Sequence, residues 1–320
     1  MKTIHEKGLL YQGHKIVPYC PRCGTALSSH EVAQGYKTVK EVSAYVRFKV
    51  AGEENTYLLA WTTTPWTLPS NLALCVNPTD TYAKFTAEDG KTYIMAKALI
   101  EACFPGQEVA IHQEMPGNAL CGMHYEPLFD FAKGKVDKDA WFVVADNYVT
   151  MTDGTGIVHI APAFGEDDNR VCRENDVPFV NFVDNQGCMT EDTKWPGVFV
   201  KKADPMVLED LKERDLLFKP QPFEHDYPFC WRCDTPLLYY ARPTWFIEMT
   251  KVRDQLVRNN RTINWMPDNI KEGRMGTCWR MSTTGASPAS VTGVPPCLCG
   301  SAPAATCTSW VLVRNCARWP

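Results

Sequence analysis

The 320-residue sequence lacks several features that would assign it to a broad class of protein. It has no run of eighteen apolar residues, which excludes a conventional membrane-spanning helix. Residues 1–7 (MKTIHEK) have no apolar core, so they do not resemble a secretory signal peptide. The formal net charge of −4 argues against an autonomous nucleic-acid-binding protein. We therefore expect a cytoplasmic protein with no membrane partner.

Residues 277–320 lack lysine, aspartate and glutamate altogether. Low-complexity disorder is one interpretation of this segment, but it fits poorly with the three tryptophans and five cysteines found there. Because the segment holds three arginines and no acid, residues 1–276 carry a net charge of −7. If the protein meets RNA, we expect most phosphate contacts to lie in a larger molecule.

Fourteen cysteines without a secretory signal favour metal binding in a reducing compartment over disulfides. Two Cys-x-x-Cys pairs have similar flanks, Cys20 and Cys23 in YCPRCG, and Cys230 and Cys233 in FCWRCD. Two thiolate pairs are sufficient for a tetrahedral zinc site. Such a site would clamp together the outgoing and returning strands of an inserted domain. The alternative is two unrelated knuckles or free thiols.

Short apolar segments at regular spacing predict a β-rich domain with few helices. The predicted strands lie at residues 42–50, 56–60, 72–76, 82–85, 92–95 and 141–145. Helices are predicted over residues 96–104, from residue 165, and over residues 204–217.

The stretch 61–71 (WTTTPWTLPSN) follows a predicted strand and concentrates threonine, proline and tryptophan. Pro65 and Pro69 rule out a regular helix or a central strand. We predict a rigid loop lined with hydroxyl groups and walled by indoles, which is typical of a small polar pocket. A threonine-rich strand and turn without a ligand is the alternative.

This stretch resembles the threonine-rich editing loop of isoleucyl-tRNA synthetases. The valine and leucine relatives usually carry an Arg and an acidic residue where this chain has Thr64 and Trp66. A second stretch, residues 154–168 (GTGIVHIAPAFGEDD), resembles the opposite wall of the same pocket. The resemblance covers residues 1–276, which lack the HIGH and KMSKS motifs that bind ATP in this class.

The resemblance implies an α/β fold: a β-barrel-rich editing domain inserted through a four-cysteine zinc ribbon, with a short flanking piece of the class I catalytic core. Residues 1–45 would form the core flank and the entry to the ribbon. Residues 46–212 would form the editing domain, and residues 213–276 the ribbon's return and re-entry to the core. Read one base out of frame, the codons for residues 277–320 permit a string that resembles the family's continuation. We interpret this tail as out of frame and expect it to be disordered.

The implied activity is hydrolysis of valyl-tRNA(Ile) by attack of water on the aminoacyl ester, in a fragment of an isoleucine–tRNA ligase. The discrimination of isoleucine from valine by this family illustrates why a second site is needed, because one methylene contributes only about 1–3 kcal/mol. No Ser-His-Asp or Cys-His nucleophile is evident near the motifs. The partners would be the valylated 3′ end of tRNA(Ile) and the remainder of the synthetase. The alternative is a non-catalytic zinc-binding gene fragment or RNA-binding module.

The resemblance also implies roles for individual residues. Asp168 would bind the substrate's ammonium group, although acids in a first helical turn also have a purely structural explanation. His159 would exclude isoleucine, although a lone histidine here could also be a satisfied core residue. The other implied residues are Thr62, Thr63, Thr64 and Thr67 for the ester, the adenosine and a water, Trp66 as an apolar wall, Asn71 as support, and Cys20, Cys23, Cys230 and Cys233 for structural Zn²⁺. ATP and Mg²⁺ would serve only the full-length ligase.

Overall fold

The computed structural model describes residues 2–281 and 285–286. The described residues form two compact units, one of residues 16–241 and the other of the residues up to 15 and from 242 onward. The four segments predicted from the sequence are a finer division and stay a prediction. Most of the predicted out-of-frame tail lies outside the described residues.

The described strands and helices are mostly short. The strands are β1 Leu10–Cys20, β2 Thr25–Ala26, β3 Tyr36–Lys49, β4 Thr56–Thr62, β5 Ala73–Val76, β6 Thr81–Thr86, β7 Thr92–Ala96, β8 Ala110–Pro116, β9 Phe142–Ala145, β10 Ile157–Ile160, β11 Leu217–Pro228, β12 Leu238–Ile247 and β13 Gly285–Ala286. The helices are α1 Lys2–Glu6, α2 Ser29–Ala33, α3 Ile100–Cys103, α4 Glu166–Glu174, α5 Val200–Glu213, α6 Arg253–Thr262 and α7 Gly276–Arg280. The strands predicted from the sequence are therefore confirmed.

The unit of residues 16–241 is built on a curled, half-barrel sheet in a mixed α/β fold. Its strands follow the order β8-β6-β7-β4-β10-β5-β9, and β3 pairs with both β4 and β11. The inner surface is packed with large apolar side chains, among them Phe48, Leu58, Tyr82 and Ile94, which are all fully buried. A smaller sheet has the order β13-β12-β1-β2.

Strand β10 lies between β4 and β5, and this position determines which residues meet at the carboxyl end of β10. Strand β10 is parallel to β4, with Val158 opposite Trp61, and antiparallel to β5, with Ile160 opposite Ala73. The connection from β4 to β5 must therefore pass over the carboxyl end of β10. This topology brings residues 63–72 next to residues that follow them in the chain by about ninety positions.

A long two-stranded ribbon leads from the sheet to the cysteine pairs. Strands β3 and β11 are antiparallel from Val46 opposite Leu217 to Tyr36 opposite Pro228. Cys20 ends β1, and Cys230 follows β11 after one residue. Both pairs thus lie at the same end of the ribbon, around a small apolar cluster that includes Leu27 and Leu237.

The other unit is organised by its own contacts. The rings of Tyr11 and Phe246 stack with centroids 5.4 Å apart. The buried Asn260 of α6 donates to the Lys271 carbonyl at 2.7 Å and accepts from Trp265 Nε1 at 3.2 Å. No helix in the described part of the chain has both the length and the apolar character needed to cross a membrane.

Helix α5 differs in its bounds from the predicted helix over residues 204–217. It begins at Val200, because Val200 and Ala203 extend the buried stripe of Val207 and Leu211 by one turn. It ends at Glu213, since Asp215 adopts a left-handed backbone conformation with φ of 56°.

Candidate active site

The prolines led us to expect a rigid loop without a regular helix, and the structure shows that residues Pro65–Ser70 of this stretch form a short 3-10 helix. The tighter helix tolerates both prolines: Pro65 occupies the first position, where no amide donor is needed. The Thr67 amide donates to the Thr64 carbonyl at 3.1 Å, and the Asn71 amide to the Leu68 carbonyl at 3.0 Å. The stretch is therefore rigid, as predicted.

The structure joins three of the four predicted threonines and His159 in one chain of polar contacts. The Thr64 amide donates to Thr62 Oγ1 at 3.1 Å, and the two hydroxyl oxygens of Thr64 and Thr67 lie 3.3 Å apart. Thr67 Oγ1 lies 2.9 Å from His159 Nε2. The fourth threonine, Thr63, is half-buried and makes no side-chain hydrogen bond with any described residue.

The tautomer of His159 follows from this network. Thr67 Oγ1 donates its single proton to the Thr64 carbonyl at 2.8 Å, so the hydrogen bond to His159 is donated by Nε2. His159 Nδ1 is then a buried acceptor, and it has no partner among the described residues. Burial lowers the pKa of His159 to about 4, so the ring is neutral at pH 7. A buried acceptor without a partner is costly unless a ligand or water satisfies it.

Trp66 lies between Thr64 and Thr67 in the chain, within the 3-10 helix. Its side chain is buried and packs edge to face against Phe164, with ring centroids 4.7 Å apart. Its backbone amide donates to Asp204 Oδ1 of α5 at 2.8 Å. The ring and the backbone of Trp66 are therefore both held by residues distant in the sequence, and its role as an apolar wall stays a prediction.

Asn71 follows the 3-10 helix and makes hydrogen bonds through both its side chain and its backbone. Its Nδ2 donates to the Ala73 carbonyl at 2.9 Å, and its Oδ1 accepts from the Tyr125 hydroxyl at 2.7 Å. Its carbonyl accepts from Trp141 Nε1 at 3.2 Å. These contacts hold the residues that follow the 3-10 helix, and the supporting role of Asn71 stays a prediction.

Replacing Asn71 by alanine is expected to lower the free energy of unfolding by about 1–3 kcal/mol, because the buried Tyr125 hydroxyl loses its acceptor. Urea unfolding monitored by circular dichroism measures this change. The exposed Asn118 is a matched control, and Asn118→Ala should change stability by less than about 0.5 kcal/mol. Equal effects of the two substitutions would contradict the supporting role.

Asp168 contacts the residue that follows the carboxyl end of β10. It belongs to the first turn of α4, and its Oδ2 accepts from the Ala161 amide at 2.9 Å, two residues beyond His159. Burial, with a smaller contribution from the charge of Asp167, raises the pKa of Asp168 to about 7. None of the ion pairs among the described residues includes Asp168. A shielded carboxylate without a cationic partner is suited to bind a cation.

Asp204 contacts the backbone of the threonine stretch, and it was not singled out from the sequence. The available signal was its position within the apolar stripe of α5, next to Ala203 and between Val200 and Val207. A carboxylate on the buried face of a helix requires a specific partner.

The four predicted metal ligands converge. The Sγ atoms of Cys20, Cys23, Cys230 and Cys233 all lie within 4.8 Å of one another. The Sγ atoms of Cys20 and Cys233 are 3.4 Å apart, and those of Cys23 and Cys230 are 4.0 Å apart. A tetrahedral zinc–thiolate site has Zn–S bonds of about 2.3 Å, which corresponds to S–S distances of about 3.8 Å.

The two knuckles also share their turn geometry. The residue after each pair, Gly24 or Asp234, has a positive φ of 68° or 60° and donates its amide to the carbonyl of Cys20 or Cys230. The cluster could therefore hold a metal ion, and its donor set and distances fit zinc.

Comparison with known proteins places residues 1–281 in one family. Residues 1–281 match the tRNA synthetases of class I (I, L, M and V). The chain is 57% identical over 277 residues to the isoleucine–tRNA ligase of Clostridium acetobutylicum, and 56% identical over 277 residues to that of Clostridium novyi. Each match covers 86% of this chain and 26% of the ligase, so the chain spans about a quarter of the length of these curated relatives.

A solved structure, the editing domain of the P. knowlesi cytosolic leucyl-tRNA synthetase, compares with a TM-score of 0.44 at 14% identity. That comparison covers 58% of this chain and 97% of the domain. On the match of residues 1–281 and the identities to the two ligases, the chain belongs to the class I tRNA synthetases (I, L, M and V).

Proposed function

We propose that this chain carries an editing site that hydrolyses valyl-tRNA(Ile). The observation that carries the proposal is the set of threonine hydroxyl groups that ends on the neutral His159, together with the carboxylate of Asp168, which accepts from the Ala161 amide two residues after His159. The identity to isoleucine–tRNA ligases supports the choice of tRNA and of amino acid.

In this proposal Asp168 binds the free α-ammonium group of the aminoacyl ester. An ammonium group would stabilise the ionised carboxylate and lower its pKa from about 7. Unbound, the carboxylate is only partly ionised near neutral pH. The ion pair therefore forms with the substrate, and correct placement of the ester is coupled to it.

The reaction itself needs a water molecule and stabilisation of the developing oxyanion. A histidine with a pKa of about 4 is a weak base at pH 7. His159 therefore does not serve as the general base that takes a proton from the attacking water, and its role is to hold Thr67 and to shape the pocket. The hydroxyl groups of Thr62 and Thr64 provide donors to the ester oxygen and to the terminal adenosine, whereas Thr67, whose proton is donated to the Thr64 carbonyl, offers only an acceptor to the substrate or the water. Thr63 is assigned to the same set from its place in the motif.

The side-chain pocket has to accept valine and exclude isoleucine. In this proposal Trp66, which packs against Phe164, is the apolar wall, and His159, which contacts Thr67, excludes isoleucine. One methylene in a close-packed pocket changes binding by about 1–3 kcal/mol, so discrimination of about 10- to 200-fold is the scale expected. Bound zinc would have a structural role at the base of the ribbon, whereas ATP and Mg²⁺ belong to the full-length ligase.

The test is deacylation of two substrates by the full 320-residue chain. Valyl-tRNA(Ile) should lose valine at least about 10-fold faster than isoleucyl-tRNA(Ile) loses isoleucine. Thr64→Val, which removes one hydroxyl group at constant volume, should slow valine release by about 10- to 100-fold.

Thr86→Val is the matched control. Thr86 lies on β6, where its hydroxyl group hydrogen bonds to His112 and Thr92, and it takes no part in the site. Its rate should equal that of the unchanged chain. Release of both amino acids at the same rate, or only at the rate of spontaneous hydrolysis, would reject the proposal.

A further inference from the structure

We propose that Asp204 is a positioning residue of the editing site, which holds the threonine stretch in its active geometry by accepting the Trp66 amide. This inference rests on the proposed hydrolysis. Asp204 belongs to α5 and is 138 residues away from Trp66 in the sequence, yet its Oδ1 lies 2.8 Å from the Trp66 nitrogen.

The Trp66 amide is the first free donor of the 3-10 helix. Pro65 precedes it and has no N–H group, and Thr64 at the N-cap makes no side-chain capping bond. The first amides of a helix have no partner within the helix and need one from elsewhere. A carboxylate is the strongest such partner, because it also interacts favourably with the positive end of the helix dipole.

The Trp66 amide lies in the chain between Thr64 and Thr67, whose hydroxyl groups belong to the proposed site. Thr64 is two residues before Trp66, and Thr67 is the next residue, in contact with His159. A movement of the Trp66 backbone must therefore move both hydroxyl groups. Displacement of a reacting group by about 1 Å can cost on the order of 100-fold in rate.

An apolar residue would serve the packing of α5 better than Asp204 does. Burial raises the pKa of Asp204 to about 7, and Glu41 adds to the rise while Lys201 opposes it. Lys201 itself is paired with Glu41, with Nζ 2.6 Å from Oε1, and its ammonium lies over the ring of Tyr227. Lys201 thus forms its ion pair with Glu41 and not with Asp204. The partner of the Asp204 carboxylate is the Trp66 amide.

Asp204 lines a cleft of about 460 Å³, and no residue of the threonine stretch is among the residues that line it. Glu41, Lys201 and Leu208 also line it, and the side chains of Glu41 and Lys201 are 23% and 15% exposed. A small carboxylate from solution has room to enter this cleft. Formate can thus replace the side chain of Asp204 when that side chain is removed.

The test compares Asp204→Ala and Asp204→Asn in the full chain by two measurements. The first is kcat for deacylation of valyl-tRNA(Ile), and the second is amide hydrogen exchange in a peptide that covers residues 61–71. Asp204→Ala should lower kcat by about 10- to 100-fold and accelerate exchange of the Trp66 amide. Asp204→Asn keeps an acceptor oxygen and should stay within about threefold of the unchanged chain in both.

Two further arms separate positioning from general stability. Formate should restore kcat in Asp204→Ala by at least about fivefold, which a purely structural defect would not permit. Asp210 is the matched control, because it is a shielded carboxylate on the same helix that pairs with Lys194 and Arg214. Asp210→Ala should reduce thermal stability but leave exchange in residues 61–71 unchanged.

The outcomes are distinguishable. Unchanged exchange and unchanged kcat in Asp204→Ala would overturn the inference, as would equal losses in the Ala and Asn variants without rescue by formate. Absence of deacylation by the unchanged chain would instead refute the proposed function, while the exchange data would still decide whether Asp204 anchors the Trp66 amide.

Discussion

Asp168→Ala is expected to lower kcat/KM for deacylation of valyl-tRNA(Ile) by about 10- to 100-fold. The substitution removes a charge-assisted hydrogen bond to the substrate's ammonium group, and such bonds contribute about 1.5–3 kcal/mol. The measurement is single-turnover release of labelled valine by the full chain. Activity of Asp168→Ala equal to that of the unchanged chain would contradict the ammonium-binding role.

The neighbouring acid is a matched control for this experiment. Asp167 lies in the same helical turn, is exposed, and pairs with Arg170 at 3.2 Å. Asp167→Ala removes the same charge from the same end of α4, so it reproduces the effect on the helix dipole. Its kcat/KM should change by less than about twofold. A loss equal to that of Asp168→Ala would show that general electrostatics, and not a specific contact, controls the activity.

The pH dependence of Asp168 is part of the same prediction. Because its pKa is raised to about 7, kcat/KM should fall as the pH decreases below 7, and it should fall again above about pH 8, where the α-ammonium group of the substrate loses its proton. Asp204 also has a pKa raised to about 7. The acidic limb should therefore persist in Asp204→Asn, which retains Asp168, and disappear from the residual activity of Asp168→Asn.

Stability should change in the opposite direction to activity. The folded protein binds a proton at Asp168 more tightly than the unfolded chain does, since the pKa rises from 3.8 to about 7 on folding. The free energy of unfolding therefore decreases as the pH rises from about 4 to about 7. Asp168→Asn removes this cost and keeps an acceptor for the Ala161 amide. The gain in stability of Asp168→Asn over the unchanged chain should be larger at pH 8 than at pH 5.

Loss of the four-cysteine site is expected to have the largest effect on folding. One zinc ion per chain should be found by native mass spectrometry, and Cys20→Ser should abolish its binding. The free energy of unfolding should fall by an amount on the order of 5 kcal/mol, because structural zinc sites bind with about 10–16 kcal/mol and part of this is coupled to folding. The site closes the ends of β1 and the ribbon of β3 and β11, so its loss releases both.

Cys121→Ser is the matched control, because Cys121 is exposed and lies outside the cluster. It should retain zinc and full stability. Below the melting temperature, the zinc-free protein should keep its kcat for deacylation within about threefold, since the metal takes no part in the reaction. Unchanged melting after chelation would refute the structural zinc site, and loss of kcat in a folded zinc-free protein would refute its separation from catalysis.

The sequence predicted the parts of this protein whose physical causes are local. The strand segments are visible because apolar residues recur at short spacing between turn residues, and each pair of cysteines is visible because its two ligands are three residues apart. The rigidity of residues 65–70 was also predictable, since proline restricts the backbone wherever it occurs. Their winding into a 3-10 helix was not, because it depends on where the flanking strands are held.

Tertiary structure decided everything that joins distant residues. The insertion of β10 between β4 and β5 brings His159 within 2.9 Å of Thr67, and no local pattern specifies that pairing. The same holds for the contact between Asp204 and the Trp66 amide, because an acid on an amphipathic helix becomes informative only when its partner is known. The pKa values of Asp168 and His159 are likewise properties of burial, which the packing of the whole sheet creates. The sequence by itself thus determined which chemical groups are present and how rigidly they are held, whereas the fold decided which of them meet and in which state of ionisation.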